Sequence, residues 1–206
     1  MKLMVAIGGG SFQKGETKEL DQYIISCTNK VNPKVLFLPT ASKDDQGYAK
    51  RFKQYYRSLG CEVDSLRLFH TKLGRDEIKE KICGCDIVYI GAGNMRILMQ
   101  AFQDMGIVEM LQEAYQKGVV CVGMSAGASC FFTYGYSDLK DDGTVFDYVK
   151  GCDFIKGCFC PHAQDDRRKG FYDEKKDVGL KLACKDLDAY IYQEETAFFY
   201  LEKNTL

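Results

Sequence analysis

Val-Val-Cys-Val-Gly-Met-Ser-Ala-Gly-Ala, residues 119–128, is the stretch of sequence that decides the fold. Its first half is a continuous apolar run, which is typical of a strand buried on both faces of a sheet. Its second half contains the pattern G-x-S-x-G around Ser125, and residues 128–132 continue as a predicted helix start. This pattern is typical of a nucleophile elbow, and a plain Gly-Ser turn or a serine N-cap is the alternative. The elbow interpretation predicts an α/β fold with an exposed serine at a strained turn.

The rest of the chain repeats the alternation of short apolar runs with longer amphipathic stretches. Strands are predicted at residues 2–7, 34–38, 61–66 and 86–90, and helices at 16–28, 44–59, 75–82, 94–104 and 107–117, the last two being one broken helix or two separate ones. Residues 190–192 and 197–201 are aromatic and close together, and we expect a hairpin that closes the sheet edge. The pattern predicts one domain over residues 1–206, a three-layer α/β/α sandwich with a mostly parallel sheet. Ligands are expected where the strands end in loops, on the C-terminal side of the sheet.

Composition and charge exclude several classes of function. The net charge of the 206 residues is -1, so no bulk positive field recruits nucleic acid or an anionic membrane. The first apolar run ends at Gly8-Gly9-Gly10, too early for a secretory signal, and no stretch approaches the roughly 20 apolar residues of a membrane span. We therefore expect a cytoplasmic protein without nucleic-acid or membrane partners, and the sequence leaves open a monomer or a homodimer.

The ten cysteines predict core packing and not a metal site. The pairs Cys83/Cys85 and Cys158/Cys160 have C-x-C spacing, which differs from the C-x-x-C spacing of structural zinc sites. Without a secretory signal, the thiols are expected to be reduced, and buried free cysteine packs as a small hydrophobe. The triple glycine at residues 8–10 does not complete G-x-G-x-x-G, because position 13 is Gln13. We expect no metal and no organic cofactor.

An elbow serine needs a base, and the chain contains only His70 and His162. Both follow apolar runs, and the order nucleophile-then-histidine favours His162. The loop Gly91-Ala92-Gly93-Asn94 follows another predicted strand, and Asn94 is the predicted N-cap of the next helix. A backbone N–H of Ala92 or Gly93 is a candidate oxyanion donor, beside the N–H that follows the nucleophile.

The third member of a catalytic triad would be a carboxylate that orients the histidine. The residues alone leave five candidates open: Asp138, Asp141, Asp142, Glu194 and Glu195.

Five segments of the chain together resemble the dipeptidase E and cyanophycinase family of serine peptidases. They occur in the family's order and are Ile7-Gly8-Gly9-Gly10-Ser11, Leu38-Pro39-Thr40-Ala41-Ser42, Gly91-Ala92-Gly93-Asn94, Gly123-Met124-Ser125-Ala126-Gly127-Ala128 and Pro161-His162. The resemblance implies a fold similar to class I glutamine amidotransferases, hydrolysis without metal or cofactor, and a peptide substrate.

By this resemblance Ser125 is the nucleophile and His162 the general base, and the N–H groups of Gly93 and Ala126 hold the oxyanion. The family's loop reads Gly-Gly-Gly-Asn. Ala92 departs from this pattern at the middle glycine and restricts the backbone conformations of the loop. The family offers two acids for the third member. We favour Glu194, which stands in a Glu-x-Thr segment, and place Asp138 second.

The substrate expected from the resemblance is a short peptide, and one branch of the family cleaves after an N-terminal aspartate. Where that branch has a recognising arginine, this chain has Asp173, an acid that repels an acidic substrate group. Arg167 or Arg168 is the substitute that the sequence offers. An esterase or amidase with the same residues is one alternative, and a non-catalytic protein that binds a small metabolite is the other.

Overall fold

A seven-stranded sheet forms the centre of the molecule. The computed structural model describes the backbone of residues 2–139, 144–173, 179–185, 188–193 and 197–201. The strands in these ranges are β1 (Leu3–Ile7), β2 (Lys34–Leu38), β3 (Glu62–Ser65), β4 (Ile87–Ile90), β5 (Val120–Met124), β6 (Phe132–Asp138), β7 (Phe146–Lys150), β8 (Ile155–Cys160), β9 (Lys181–Ala183), β10 (Ala189–Gln193) and β11 (Ala197–Leu201). The helices in the same ranges are α1 (Lys18–Ser26), α2 (Gln46–Ser58), α3 (Arg75–Cys83), α4 (Met95–Met105), α5 (Ile107–Gln116), α6 (Ala126–Ser129) and α7 (Gly170–Asp173).

The order of strands in the large sheet is β11-β10-β1-β5-β4-β2-β3. The five strands from β1 to β3 in this order are parallel to one another, and β10 and β11 form an antiparallel hairpin at the edge. The parallel part has the continuous apolar runs predicted for a sheet that is covered on both faces. The predicted α/β fold with a mostly parallel sheet is therefore confirmed, and so is the edge hairpin.

Alternate residues of each parallel strand pack into two separate cores. In β2, Leu36 and Leu38 face the core formed with α3, α4 and α5. Val35 and Phe37 of the same strand face the opposite core, formed with α1 and α2. Each fully buried side chain of this kind contributes about 1.5–3 kcal/mol to folding. Helices on both faces of one sheet make the three layers of the sandwich.

A second, four-stranded sheet lies outside the sequence prediction. Its order is β7-β6-β8-β9, with β6 antiparallel to β7 and parallel to β8. The register of β6 against β8 shifts between Phe132 and Tyr134. The C-terminal end of β8 leads directly into Pro161 and His162, so this sheet delivers the candidate base.

The predicted helix around the elbow is much shorter than expected. α6 has four residues, and the chain turns at Cys130 and enters β6 at Phe132. Residues 94–117, in contrast, form two helices separated by Gly106, whose φ of 63° ends α4. In the described ranges no helix is long and apolar enough to cross a lipid bilayer.

All ten cysteines are free thiols, and seven of them are buried, as the sequence predicts for core packing. Burial raises the pKa of several of these thiols, for example that of Cys160 to about 11 and that of Cys85 to about 12. Such thiols stay protonated at neutral pH, which makes them poor nucleophiles.

Candidate active site

Ser125 stands between β5 and α6 in a backbone conformation that non-glycine residues rarely adopt. Its φ is 53° and its ψ is -109°. Such strained conformations persist where the surrounding structure holds them, and they cluster at functional sites. Here the backbone N–H of Ser125 donates to the carbonyl oxygen of Ile7 at 2.9 Å, which ties the turn to β1. The residue is 8% exposed, so the serine is nearly buried and not exposed as the sequence predicts.

The two glycines of the elbow are required by close backbone approach. A Cβ on Gly123 would lie 2.1 Å from the carbonyl oxygen of Gly127. A Cβ on Gly127 would lie 2.2 Å from the carbonyl oxygen of Ile90, at the end of β4. Both distances are far below contact distance, and backbone atoms have little freedom to move away. The G-x-S-x-G spacing thus packs the serine turn against the loop that follows β4.

The short α6 contributes to the elbow mainly through its first N–H groups. A single turn carries only a small macrodipole, since the dipole is a sum over aligned peptides. Its first N–H groups nevertheless have no acceptor within the helix, and Ala126 is its first residue. The N–H of Ala126 is therefore the local donor that this helix offers beside Ser125.

His162 is brought next to Ser125 by the small sheet. It follows Pro161 at the end of β8 and has a φ of 52°, which turns its side chain out of the strand direction. The distance between its Nε2 and the Oγ of Ser125 is 2.9 Å. With Nε2 as acceptor, the serine hydroxyl donates to the ring, and the ring proton is then on Nδ1. This contact is the geometry required of a nucleophile and its general base.

The other histidine is engaged elsewhere. His70 is half-exposed, and its Nδ1 lies 3.5 Å from Oδ2 of Asp44. The structure therefore brings together Ser125 and His162, the pair favoured by chain order.

The loop after β4 contains the candidate oxyanion donors Ala92 and Gly93. The N–H groups on either side of Gly93 are used: that of Ala92 donates to the hydroxyl of Tyr48 at 3.2 Å, and that of Asn94 donates to the carbonyl oxygen of Ala41 at 2.8 Å. Within the ranges that the structure describes, no acceptor bonds the N–H of Gly93. Of the two donors left open by the sequence, Ala92 is thus engaged and Gly93 is available.

Gly93 also needs to be glycine for two physical reasons. Its φ is 146°, and a Cβ there would lie 2.1 Å from the carbonyl oxygen of Ala41. Since Ile90 of β4 pairs with Gly123 of β5, the loop at Gly93 and the turn at Ala126 extend from neighbouring strand ends. The two expected oxyanion donors therefore lie at the same end of the sheet.

Tyr48 is a contributor that the sequence did not single out. It lies on α2, and its hydroxyl accepts from the N–H of Ala92. This bond fixes the Gly91–Ala92 peptide, which immediately precedes the peptide that carries the N–H of Gly93. Its sequence context is an ordinary amphipathic helix, so no local signal distinguishes it from a core aromatic residue. The structural signal is its reach to the loop across 44 residues of sequence.

The two acids favoured for the triad differ in placement. Asp138 ends β6, and Gly135 of that strand pairs with Phe159 of β8. Because β6 and β8 are parallel, Asp138 and His162 both lie at the carboxyl end of the small sheet. Glu194 lies outside the described residues, as do Asp141, Asp142 and Glu195. Gln193, which precedes Glu194, pairs with Leu3 at the end of β1 opposite to Ile7.

The arginines after His162 point in different directions. Arg167 forms a fork with Asp165, with Nη2 at 2.6 Å from Oδ2 and Nε at 3.0 Å from Oδ1, and this contact lowers the pKa of Asp165 to about 2. Arg168 folds inward, where Nη1 donates to the carbonyl oxygen of Tyr136 at 2.9 Å. Its guanidinium lies 4.7 Å from the centre of the Phe146 ring, and burial lowers its pKa. Arg167 is thus neutralised locally, while Arg168 lies against the end of β6.

Among the described residues, no group of three or more His, Cys, Asp or Glu side chains is arranged to hold a metal ion.

Comparison with known proteins gives consistent similarities. The sequence model of peptidase family S51 matches residues 4–196. The uncharacterized peptidase YgaJ of Bacillus subtilis (strain 168) is 37% identical over 175 residues, which cover 84% of this chain and 74% of that protein. An uncharacterized peptidase of Pasteurella multocida (strain Pm70) is 29% identical over 110 residues, 52% of each chain. The crystal structure of a peptidase from an acI-B1 Actinobacterium has a similar fold, with a TM-score of 0.77 at 17% identity over 98% of this chain and 88% of that one.

Proposed function

Because the chain belongs to peptidase family S51 and is thus a serine-type peptidase, we propose that it hydrolyses short peptides with Ser125 as nucleophile and His162 as general base. The observation that carries this proposal is the 2.9 Å contact between Oγ of Ser125 and Nε2 of His162. The strained elbow that presents the serine supports the same role, since strained backbone conformations cluster at functional sites.

The reaction follows from these positions. Ser125 attacks the amide carbonyl as its proton passes to Nε2 of His162, which then protonates the leaving amine. The N–H groups of Gly93 and Ala126 hold the oxygen that becomes negatively charged in the tetrahedral intermediate. Water next attacks the acyl-enzyme, with His162 again as base, and frees the acid. No step needs a metal or an organic cofactor.

For the third member we now place Asp138 ahead of Glu194. The support is positional: Asp138 lies at the end of the small sheet that also carries His162, whereas the strand leading to Glu194 ends beside Leu3. A carboxylate that fixes the Nδ1–H tautomer raises kcat by about 10⁴-fold in serine proteases. Asp138→Asn should therefore lower kcat much more than Glu194→Gln, and the reverse result would restore Glu194.

For the substrate we propose short peptides, with Asp-X dipeptides as the first class to test. Arg168 supports an acidic residue on the acyl side, because it lies near the strand end beside His162, while Arg167 is paired with Asp165. The matched variants are Arg168→Gln and Arg167→Gln. A selective loss of Asp-Leu over Ala-Leu hydrolysis in Arg168→Gln alone supports the assignment, and equal loss for both dipeptides contradicts it.

The test of the whole proposal is covalent labelling with a fluorophosphonate, read by intact mass. Wild type should gain one adduct, and Ser125→Ala should gain none. Ser129→Ala is the matched control, since Ser129 is a buried serine one turn further on whose Oγ donates to the carbonyl oxygen of Ser125. Ester turnover without turnover of any dipeptide would indicate an esterase. A folded wild-type protein that takes no label would indicate a non-catalytic protein that binds a small metabolite.

A further inference from the structure

A cavity of about 460 Å³ opens at the N-terminal end of α4. Its lining includes Asn94, the residue directly after the oxyanion donor Gly93. Phe69, Ile97 and Leu139 supply apolar walls. The cavity thus begins one residue along the chain from the proposed oxyanion donor, and it is large enough for one amino-acid residue.

The end of the cavity near Gly93 is positively charged. Arg96 lines it with an exposed guanidinium, and among the described residues the acceptor that this group bonds is the carbonyl oxygen of Leu139, at 3.1 Å from Nη1. The eleven-residue α4 begins at the same place. Oδ1 of Asn94 accepts from the N–H groups of Arg96 and Ile97, so the helix adds the positive end of its dipole and not these donors. Most of the donors of the Arg96 guanidinium remain open to a ligand, because one of its five N–H groups is used in that bond.

An acidic residue also lines the cavity, at its other end. Asp104 follows Arg96 by eight residues on α4, which separates the two by about 12 Å along the helix axis. Oδ1 of Asp104 accepts a hydrogen bond from Nε2 of Gln100 at 2.8 Å. The positive charge next to Gly93 is thus not neutralised by Asp104.

The apolar wall opposite α4 is held by a buried carboxylate. Phe69 is 50% exposed, yet its backbone N–H donates to Oδ2 of Asp44 at 2.6 Å. Asp44 is only 2% exposed. A half-exposed phenylalanine on an anchored backbone is a surface suited to contact with a ligand side chain.

From these contacts we infer that the cavity binds the residue released as the amine, with its free C-terminal carboxylate held by Arg96. In a short peptide, the free carboxylate belongs to this released residue, whereas the acyl side carries an ammonium group that Arg96 would repel. The side chain of the released residue would pack on Phe69, Ile97 and Leu139. This inference rests on the proposed peptidase activity and adds a specificity for peptides with an unblocked C-terminus.

The experiment compares hydrolysis of Asp-Leu and Ala-Leu with that of the same dipeptides blocked as C-terminal amides. Wild type should prefer the free carboxylates in kcat/KM by about tenfold or more, the value expected for a charge-assisted hydrogen bond. Arg96→Gln should reduce this ratio to near one, and Arg96→Lys, which keeps the charge without the fork, should retain part of it.

Arg75→Gln is the matched control, because the Arg75 guanidinium donates to the carbonyl oxygen of Met105 at the far end of α4. This variant should keep the wild-type ratio. A wild-type ratio near one overturns the inference while leaving the peptidase activity in place, and it does so even if Arg96→Gln fails to fold. An unchanged ratio in folded Arg96→Gln also overturns it. Absence of hydrolysis of all four compounds by wild type overturns the proposed function, and the inference with it.

Discussion

The backbone N–H of His162 donates to the carbonyl oxygen of Gly8 at 3.3 Å. The preceding carbonyl of the same strand end, that of Ile7, accepts from the backbone N–H of Ser125. The nucleophile and the base are therefore attached to consecutive carbonyl groups at the end of β1. Their separation is set by backbone hydrogen bonds as well as by the contact between their side chains.

Replacing His162 should abolish most of the activity without unfolding the protein. His162→Ala removes the proton acceptor but leaves the backbone bond to Gly8, so we expect kcat/KM to fall by about 10²- to 10⁴-fold. The measurement is steady-state dipeptide hydrolysis together with thermal unfolding. His70→Ala is the matched control and should retain near-wild-type kinetics, and equal losses in both variants would contradict the assignment.

Adding one methyl group at Gly127 should disrupt the elbow. In Gly127→Ala the new Cβ meets the carbonyl oxygen of Ile90 at 2.2 Å, and such overpacking costs about 1–3 kcal/mol. We expect lower stability in urea and a displaced, inactive Ser125. Gly74→Ala is the control, since its nearest neighbour lies 3.5 Å away and an N-cap substitution costs less than about 1 kcal/mol. Wild-type activity in Gly127→Ala would show that the turn is not constrained as described.

Tyr48→Phe should slow catalysis through the oxyanion loop. Loss of the hydroxyl leaves the N–H of Ala92 without its acceptor, and an unsatisfied donor of this kind costs about 1–3 kcal/mol. The Gly91–Ala92 peptide is then less well fixed, and with it the neighbouring N–H of Gly93. We therefore expect kcat to fall several-fold while KM changes little.

The control for this change is Tyr55→Phe on the same helix. The hydroxyl of Tyr55 donates to Asp21, away from the loop, so its loss should lower stability and leave kcat unchanged. Equal effects of the two variants on kcat would remove Tyr48 from the positioning of the loop.

Asp21 should make stability depend on pH in an unusual direction. This carboxylate is buried, and burial raises its pKa above 3.8 although Tyr56, Thr17 and Tyr55 donate to it. At pH values between the pKa of Asp21 in the unfolded chain and its higher pKa in the folded protein, the native state binds more protons than the unfolded state. The contribution of Asp21 to the free energy of unfolding therefore falls as the pH rises through this window.

The measurement is urea unfolding of wild type and Asp21→Asn from about pH 7 down to about pH 5. Wild type should gain stability relative to Asp21→Asn as the pH falls. Asp165→Asn is the control: the folded pKa of Asp165 is lowered to about 2, so its contribution is present above the unfolded pKa of 3.8 and constant across this range. If the difference in unfolding free energy between wild type and Asp21→Asn does not change with pH, the raised pKa of Asp21 is contradicted.

The large sheet was predictable because its strands carry a local signal. Residues 34–38 and 119–123 are apolar almost without interruption; Pro39 follows the first run, and the second leads into the glycine-rich turn at Ser125. The structure places β2 and β5 within one residue of these predictions. Burial on both faces forces such composition, so it is visible in the sequence before any partner strand is known.

The small sheet was missed because β6 lacks that signal. β6 contains Thr133, Gly135 and Ser137 between its apolar residues, and a register shift near Thr133 interrupts its pairing with β8. Its pairing depends on contacts with a strand some twenty residues away, which a local pattern does not encode. The same pairing explains the short α6: Phe131 is drawn into the sheet, where its carbonyl accepts from the N–H of Ile155.

The candidate site was predictable where chemistry is tied to a motif. Ser125 and Gly93 are marked by glycine spacing, and a histidine count of two left His162 and one alternative. Tyr48 is not part of any motif, because a tyrosine on an amphipathic helix is ordinary. The acid partner was open for a similar reason, since carboxylates are abundant on any surface and only the pairing of β6 with β8 distinguishes Asp138.

The central position of β1 has a consequence for the order of assembly. β1 pairs with β5, more than a hundred residues further along, and with β10, still later in the chain. During synthesis β1 therefore waits without its neighbours, and its hydrogen bonds from Ser125 and His162 form only after residues 125 and 162 have emerged. Long-range pairing of this kind slows folding. A nascent chain is thus catalytically silent until most of it has left the ribosome.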